Sequence, residues 1–70
     1  MIPTPGMTGI YININCSLIV EVVSYEEENQ IVKLKVLKSL LKNCNYEEGD
    51  EFEFYLRKNQ NDLEEKLILD

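Results

Sequence analysis

The side chains best suited to bind a ligand in this sequence are cations and tyrosines that recur on strand-like segments. Four of the lysines fall within ten residues, between Lys33 and Lys42. Aromatic rings beside cations suit a nucleotide or single-stranded nucleic acid, because bases stack on the rings and phosphates contact the cations. The sequence therefore predicts a basic-aromatic surface patch, which serves as ligand or partner surface and consists of Tyr11, Lys33, Lys35, Lys38, Lys42, Tyr55, Arg57 and Lys58. The alternative is an ordinary charged strand face, in which these lysines pair with nearby glutamates.

The acidic clusters do not predict a metal site. Residues 26–28 are three consecutive glutamates, whereas calcium loops space their oxygen ligands at alternate positions and include a glycine for the bend. Residues 43–50 come closer in spacing, but Gly49 is misplaced and no glutamate occupies the twelfth position of an EF-hand loop. Residues 26–28 are typical of a solvated hairpin tip, and we expect neither a metal nor another cofactor.

The chain also lacks the residues of a catalytic site. It contains no histidine, so neither cysteine has the base that usually activates a thiol. Glu21 is flanked by the apolar residues Val20 and Val22, and pairing across the sheet with Lys33 or Lys35 explains it without catalysis. We predict that the protein is not an enzyme.

Cys16 and Cys44 are the two cysteines, and they lie far apart in the sequence. The spacing allows one disulfide but gives no argument for it, so we expect two free thiols in a cytoplasmic protein. The first residues carry neither a basic region nor an apolar core of signal-peptide length, and no apolar run is long enough to span a bilayer. These features predict a cytoplasmic location and no membrane contact.

Size and charge limit the candidate partners. Seventy residues predict a single small domain, 1–70, with a thin core. Seven basic and thirteen acidic side chains give a formal net charge of −6. A binder of duplex nucleic acid gains affinity by neutralising phosphates with Lys and Arg, so this balance makes duplex nucleic acid an unlikely partner. A protein partner or a small anionic ligand fits the composition better.

The hydrophobic pattern predicts strands. Residues 1–9 contain two prolines and two glycines, which predicts an irregular lead-in arm. Residues 10–14 then place isoleucines on one face and Tyr11 on the other, and residues 15–17 form a turn. Residues 18–25 have apolar side chains on both faces, which indicates a central strand or a subunit contact. An acidic turn leads into the alternating run 31–37, and residues 51–56 alternate most clearly.

Two segments are ambiguous between helix and strand. Residues 33–43 also place leucines at helical spacing, and a strand through about Leu37 followed by a single turn or short helix at 39–43 satisfies both patterns. Asn43 to Asn45 and Glu48 to Asp50 have turn chemistry. The tail, residues 63–69, could be helix or edge strand, and we favour the strand.

These elements predict a mostly β fold. Four to five antiparallel strands, with a short helix as an alternative at one segment, fit a small curled sheet or barrel of the SH3-like or OB-like kind. The inward positions of successive strands predict that Val20, Leu34, Phe52 and Phe54 share one core.

The two-faced strand also predicts self-association. In a domain this small, Ile19, Val23 and Tyr25 would be exposed in a monomer, which makes a homo-oligomer the expected state. The function predicted from these features is that of a small acidic, non-enzymatic interaction protein that binds a protein partner and self-associates. The alternative is a phage-type anti-defence protein, which acts as an acidic decoy or sequesters a small nucleotide signal.

Overall fold

The described part of the protein folds into one antiparallel sheet of five strands. The computed structural model describes residues 2–56 and 65–70. The strands are β1 (Thr8–Asn13), β2 (Ser17–Glu26), β3 (Ile31–Ser39), β4 (Glu51–Tyr55) and β5 (Glu65–Leu69). They lie in the order β4-β3-β2-β1-β5, and the sheet curls into a half-barrel. The predicted mostly β fold of the small SH3-like or OB-like kind is therefore confirmed.

The long hairpin of β2 and β3 forms the middle of the sheet because both strands are rich in β-branched residues, which fit a pleated surface. β2 is the central strand of the five. The central position matches one of the two predicted explanations for its apolar faces, but the outer face is not covered, because Val23 is exposed and Ile19 is only half-buried. The acidic turn that joins β2 to β3 ends at Gln30, whose φ of 55° is in the left-handed region.

The core lies on the inner side of the curl. Val20, Leu34 and Phe54 are buried there as predicted, and Phe52 is half-buried and packs against them. The hydrophobic core in the described part of the chain consists of Tyr11, Cys16, Leu18, Val20, Val22, Val32, Leu34, Val36, Phe54 and Leu67.

β1 faces the opposite way from the sequence-based expectation. Tyr11 is 2% exposed and belongs to the core, whereas Ile10 and Ile12 point outward. The Tyr11 ring makes edge contacts with Phe52 at 5.0 Å and with Phe54 at 5.9 Å between centroids. A tyrosine can be buried where its hydroxyl finds a hydrogen-bond partner. The alternation of apolar residues alone does not predict whether the tyrosine or the isoleucines of β1 face the core.

Irregular pairing between β2 and β3 reverses the side of Tyr25. Val22 pairs with Leu34, but Ser24 pairs with Lys33, so β2 carries one extra residue at this point. A bulge of this kind shifts the alternation by one position. Tyr25 therefore packs against the core. Strict alternation along the strand had predicted that Tyr25 shares the outer face with Ile19 and Val23, and this prediction is wrong.

The lead-in arm is shorter and more ordered than predicted, because β1 begins at Thr8. The chain turns at Gly6, whose φ of 94° suits glycine. The Gly6 amide donates to the Val22 carbonyl at 2.9 Å, and the Val22 amide donates to the Met7 carbonyl at 2.8 Å. These bonds fasten the arm to β2.

The prediction of free thiols is wrong, because Cys16 and Cys44 form a disulfide with a Cα–Cα distance of 4.9 Å. The β1–β2 turn and the β3–β4 connection meet at one end of the sheet, where the Leu40 amide donates to the Ser17 carbonyl at 2.8 Å. The two segments are far apart in the sequence and become neighbours only in the folded chain, so the sequence alone does not predict the disulfide. Disulfides persist mainly in oxidising compartments, so the cytoplasmic location loses the support of free thiols and stays a prediction.

The ambiguous segments resolve in the described residues. β3 continues to Ser39, and the chain then bends and turns through residues 40–43 without forming a helix. The predicted turn at Gly49 is confirmed by its φ of 92°. The tail forms the strand β5, as favoured from the sequence.

Candidate binding face

The outer side of the sheet carries a row of three isoleucines on adjacent strands. Ile10 of β1 pairs with Ile19 of β2 on one side and with Ile68 of β5 on the other. Ile12 lies next along β1, on the same outer side. We call Ile10, Ile12, Ile19 and Ile68 the isoleucine patch.

The patch is open to solvent in the isolated chain. Ile68 is 57% exposed, Ile10 41% and Ile12 39%, and Ile19 is half-buried. Single exposed apolar residues are ordinary on protein surfaces, but a contiguous group rimmed by polar residues marks a contact surface. The spacing and exposure of the isoleucine patch have that character.

The close approach of β5 to β1 assembles the patch. Gly9 is buried beside β5, and a Cβ atom at that position would collide with the Ile68 carbonyl oxygen and lie 2.9 Å from the Leu69 Cα. Because Gly9 has no side chain, β5 can pair with β1 from Gly9 to Asn13. The pairing places Ile68 beside Ile10, two residues that are 58 positions apart in the printed sequence.

Charged and polar residues border the patch along the strands. On one side, Thr8 pairs with Glu21, which in turn pairs with Lys35. Asp70 lies beside Thr8, whose hydroxyl is 3.5 Å from the Asp70 carboxylate. On the other side, Lys66 pairs with Ile12. Asp70 and Glu21 therefore lie at one end of the isoleucine patch, where Lys35 pairs with Glu21, and Lys66 lies at the opposite end.

The structure places the three predicted self-association residues in three different environments. Ile19 belongs to the isoleucine patch, and Val23 is exposed at the β2 bulge. Tyr25 packs on the core side. Ile10, Ile12 and Ile68 also belong to this surface and were not predicted from the sequence. For Ile10 and Ile12 the signal is the alternation of residues 10–14, with Tyr11 on the inner side of the strand.

The described members of the predicted basic-aromatic patch lie in different places, and only those on β3 and β4 share the outer side of the sheet. Tyr11 lies in the core, and Lys38 is exposed on β3 opposite Ile19. Lys42 is exposed in the β3–β4 connection, and Tyr55 is on the outer side of β4. Arg57 and Lys58 lie outside the described residues.

Lys33 and Lys35 face acids across the sheet. Lys33 pairs with Glu53 and Lys35 with Glu51 in the register of β3 and β4. The Lys33 ammonium lies 3.2 Å from the Glu51 carboxylate, and the Tyr55 hydroxyl contacts the Glu53 carboxylate at 3.3 Å. These contacts are those that an ordinary charged strand face would make, and the use of the lysines as a binding surface stays a prediction.

The buried hydroxyl of Tyr11 has two partners. It donates a hydrogen bond of 2.6 Å to Glu65 Oε1 and accepts one of 3.2 Å from the Asn13 amide group. Burial and the hydrogen bond to Glu65 raise the pKa of the Tyr11 phenol well above its usual range. The hydroxyl is held as a neutral donor, which suits a structural role and not a proton-transfer role.

The disulfide positions an aromatic cover over this cluster. Tyr46 follows Cys44 closely, and its amide contacts the Cys44 sulfur at 3.4 Å. The Tyr46 ring lies 4.6 Å from the Phe52 ring and 6.4 Å from the Tyr11 ring, between centroids. The β3–β4 connection therefore closes the aromatic end of the core.

Across residues 2–56 and 65–70, no group of three or more His, Cys, Asp or Glu side chains is arranged to hold a metal ion. The same residues include no helix that is long and apolar enough to cross a membrane. Comparison with protein-family models, curated proteins and solved structures returned no match. The geometry of the chain is therefore the basis for any functional proposal.

Proposed function

We propose that this chain is a small, acidic, non-enzymatic interaction protein that binds a protein partner and self-associates, with the isoleucine patch as its contact surface. The observation that carries the proposal is the row of Ile68, Ile10 and Ile19 across three adjacent strands. Apolar side chains at the centre of a polar rim are typical of protein interfaces. The net charge of −6 favours partners with a basic rim over nucleic acid.

A site-specific crosslinking experiment tests the contact surface. A photoreactive side chain replaces Ile12 in one variant and Glu48 in a matched variant, and both are irradiated in cells that make the protein. Glu48 is an exposed residue of the β3–β4 connection and lies outside the isoleucine patch. We expect protein adducts from position 12 and few from position 48.

A second variant tests whether the adducts depend on the isoleucine patch. Ile10→Asp places a charge beside position 12 in the same surface and should abolish the adducts without unfolding the chain, because Ile10 is an outer residue. Equal adduct yields from positions 12 and 48, or adducts that persist in the Ile10→Asp variant, would contradict the proposal.

A further inference from the structure

The arrangement of charges around the isoleucine patch is self-complementary under a two-fold rotation. On β5, Lys66, Ile68 and Asp70 all lie on the outer side. Lys66 and Asp70 are each two residues from Ile68, in opposite directions, which is about 7 Å along a strand. A rotation axis through Ile68 and perpendicular to β5 exchanges the positions of the cation and the anion.

From this geometry we infer that the second copy of the chain docks on the isoleucine patch with the two-fold axis along the Ile10–Ile68 row, so that Lys66 of each copy faces Asp70 of the other. Ile68 and Ile10 then each contact their own symmetry copies, and Ile12 lies opposite Thr8. An isologous interface requires such self-complementarity. This inference rests on the proposed function, because it specifies how self-association uses the same surface.

The curvature of the sheet supports a contact centred on β1 and β5. The outer side of a half-barrel is convex, so two copies meet along a band that is parallel to the strands. The band holds the most exposed members of the isoleucine patch, Ile68 at 57% and Ile10 at 41%. Lys38 extends the same row on β3, two strands away from β1, and the curl carries it away from the band.

Other orientations of two such faces bring like charges together. If the axis lay along β5, Asp70 would face Asp70 of the copy and Lys66 would face Lys66 of the copy. Opposed like charges at an interface disfavour association and set its orientation. The charges therefore select the axis that crosses the strands.

Charge exchange tests the pairing by sedimentation equilibrium at low salt. The unmodified chain should form a dimer. Lys66→Asp and Asp70→Lys should each raise the dissociation constant about tenfold or more, because each replaces two attractive contacts with two repulsive ones. The double variant Lys66→Asp/Asp70→Lys should recover the dimer. An equimolar mixture of the two single variants should form heterodimers, in which both cross-pairs are again opposite in charge.

A matched pair of variants controls for the change in net charge. Lys42→Asp and Glu48→Lys alter exposed residues of the β3–β4 connection. They change the net charge by the same amounts as Lys66→Asp and Asp70→Lys, respectively. Alone or mixed, they should leave the dissociation constant within about twofold of the unmodified value. Circular dichroism of every variant verifies that the fold is retained.

The outcomes separate this inference from the proposed function. A dimer that does not respond to the exchanges at positions 66 and 70, or mixtures that do not recover, would overturn the two-fold arrangement and leave self-association standing. A strictly monomeric chain would overturn the dimer. If position 12 of that monomer still crosslinks to another protein, partner binding through the isoleucine patch is retained.

Discussion

The phenol of Tyr11 donates a 2.6 Å hydrogen bond to the carboxylate of Glu65, a residue 54 positions later in the chain. The bond joins β1 to β5 at the end of the sheet where the aromatic side chains pack together. Because Tyr11 also contacts Phe52 and Phe54, one side chain links the first, fourth and fifth strands.

Tyr11→Phe should change how stability depends on alkaline pH. The folded chain raises the pKa of Tyr11 above its unfolded value, which is about 10. The stabilisation from the neutral phenol is complete below that pH and is lost as the pH rises toward the folded pKa, because the unfolded chain releases the proton first. Urea unfolding between pH 8 and about 11 should show a shallower decline for Tyr11→Phe than for the unmodified chain. Equal declines would contradict the buried hydrogen bond.

Phe54→Ala should destabilise the domain severely. Phe54 is 1% exposed in the centre of the core, and truncation of a buried phenylalanine costs about 3 to 5 kcal/mol. That loss is comparable to the whole stability of a small domain. Tyr55→Ala is the control, because Tyr55 is the next residue and is 42% exposed. Thermal unfolding should lose cooperativity in the first variant and keep it in the second; a loss below about 1 kcal/mol for Phe54→Ala would refute the inward assignment.

Removal of the disulfide should lower stability by about 3 to 4 kcal/mol, since the bridge closes a loop between residues 28 positions apart. The Cys16→Ser/Cys44→Ser variant should unfold at lower urea concentration than the oxidised chain, and reductant should move the oxidised chain toward the variant. Reductant should leave the variant itself unchanged, which serves as the control. Two titratable thiols in the unreduced, unfolded chain would show that the bridge is absent.

Gly9→Ala should weaken the attachment of β5. The added methyl group would meet the backbone of Ile68 and Leu69, which cannot move without breaking the β1–β5 pairing. Gly49→Ala is the comparison, because its Cβ would have open space and only the φ of 92° opposes it, at a cost of about 1 to 2 kcal/mol. Hydrogen exchange of residues 65–69 should accelerate strongly in Gly9→Ala and little in Gly49→Ala. Similar exchange in the two variants would show that β5 does not depend on this close approach.

The sequence predicts the strands well because their alternation is strong. β4 shows the simplest case, since Phe54 is buried while Glu53 and Tyr55 are exposed. The turn at Gly49 and the strand at the tail also follow from local chemistry. These features depend on residues that are close together in the sequence, so they can be predicted without knowledge of the tertiary structure.

The features that were not predicted depend on distant partners. Tyr11 is buried because Glu65 and two phenylalanines meet it in space, so its hydroxyl and ring are both accommodated. The side that Tyr25 faces is set by the extra residue of β2 in its pairing with β3. The alternation of apolar residues in the sequence does not predict this bulge. The isoleucine patch and the charges around it follow from the same long-range pairing, and their part in function stays a prediction.

The Cys16–Cys44 bridge encloses β2, the acidic turn and β3 within one covalent ring. A protease that cuts the backbone once inside this ring, for example at the exposed glutamates of the turn, cannot release a fragment. The nicked molecule keeps its mass, apart from the added water, until a reductant separates the pieces. Limited digestion at the acidic turn would therefore convert the protein into two chains that remain one molecule.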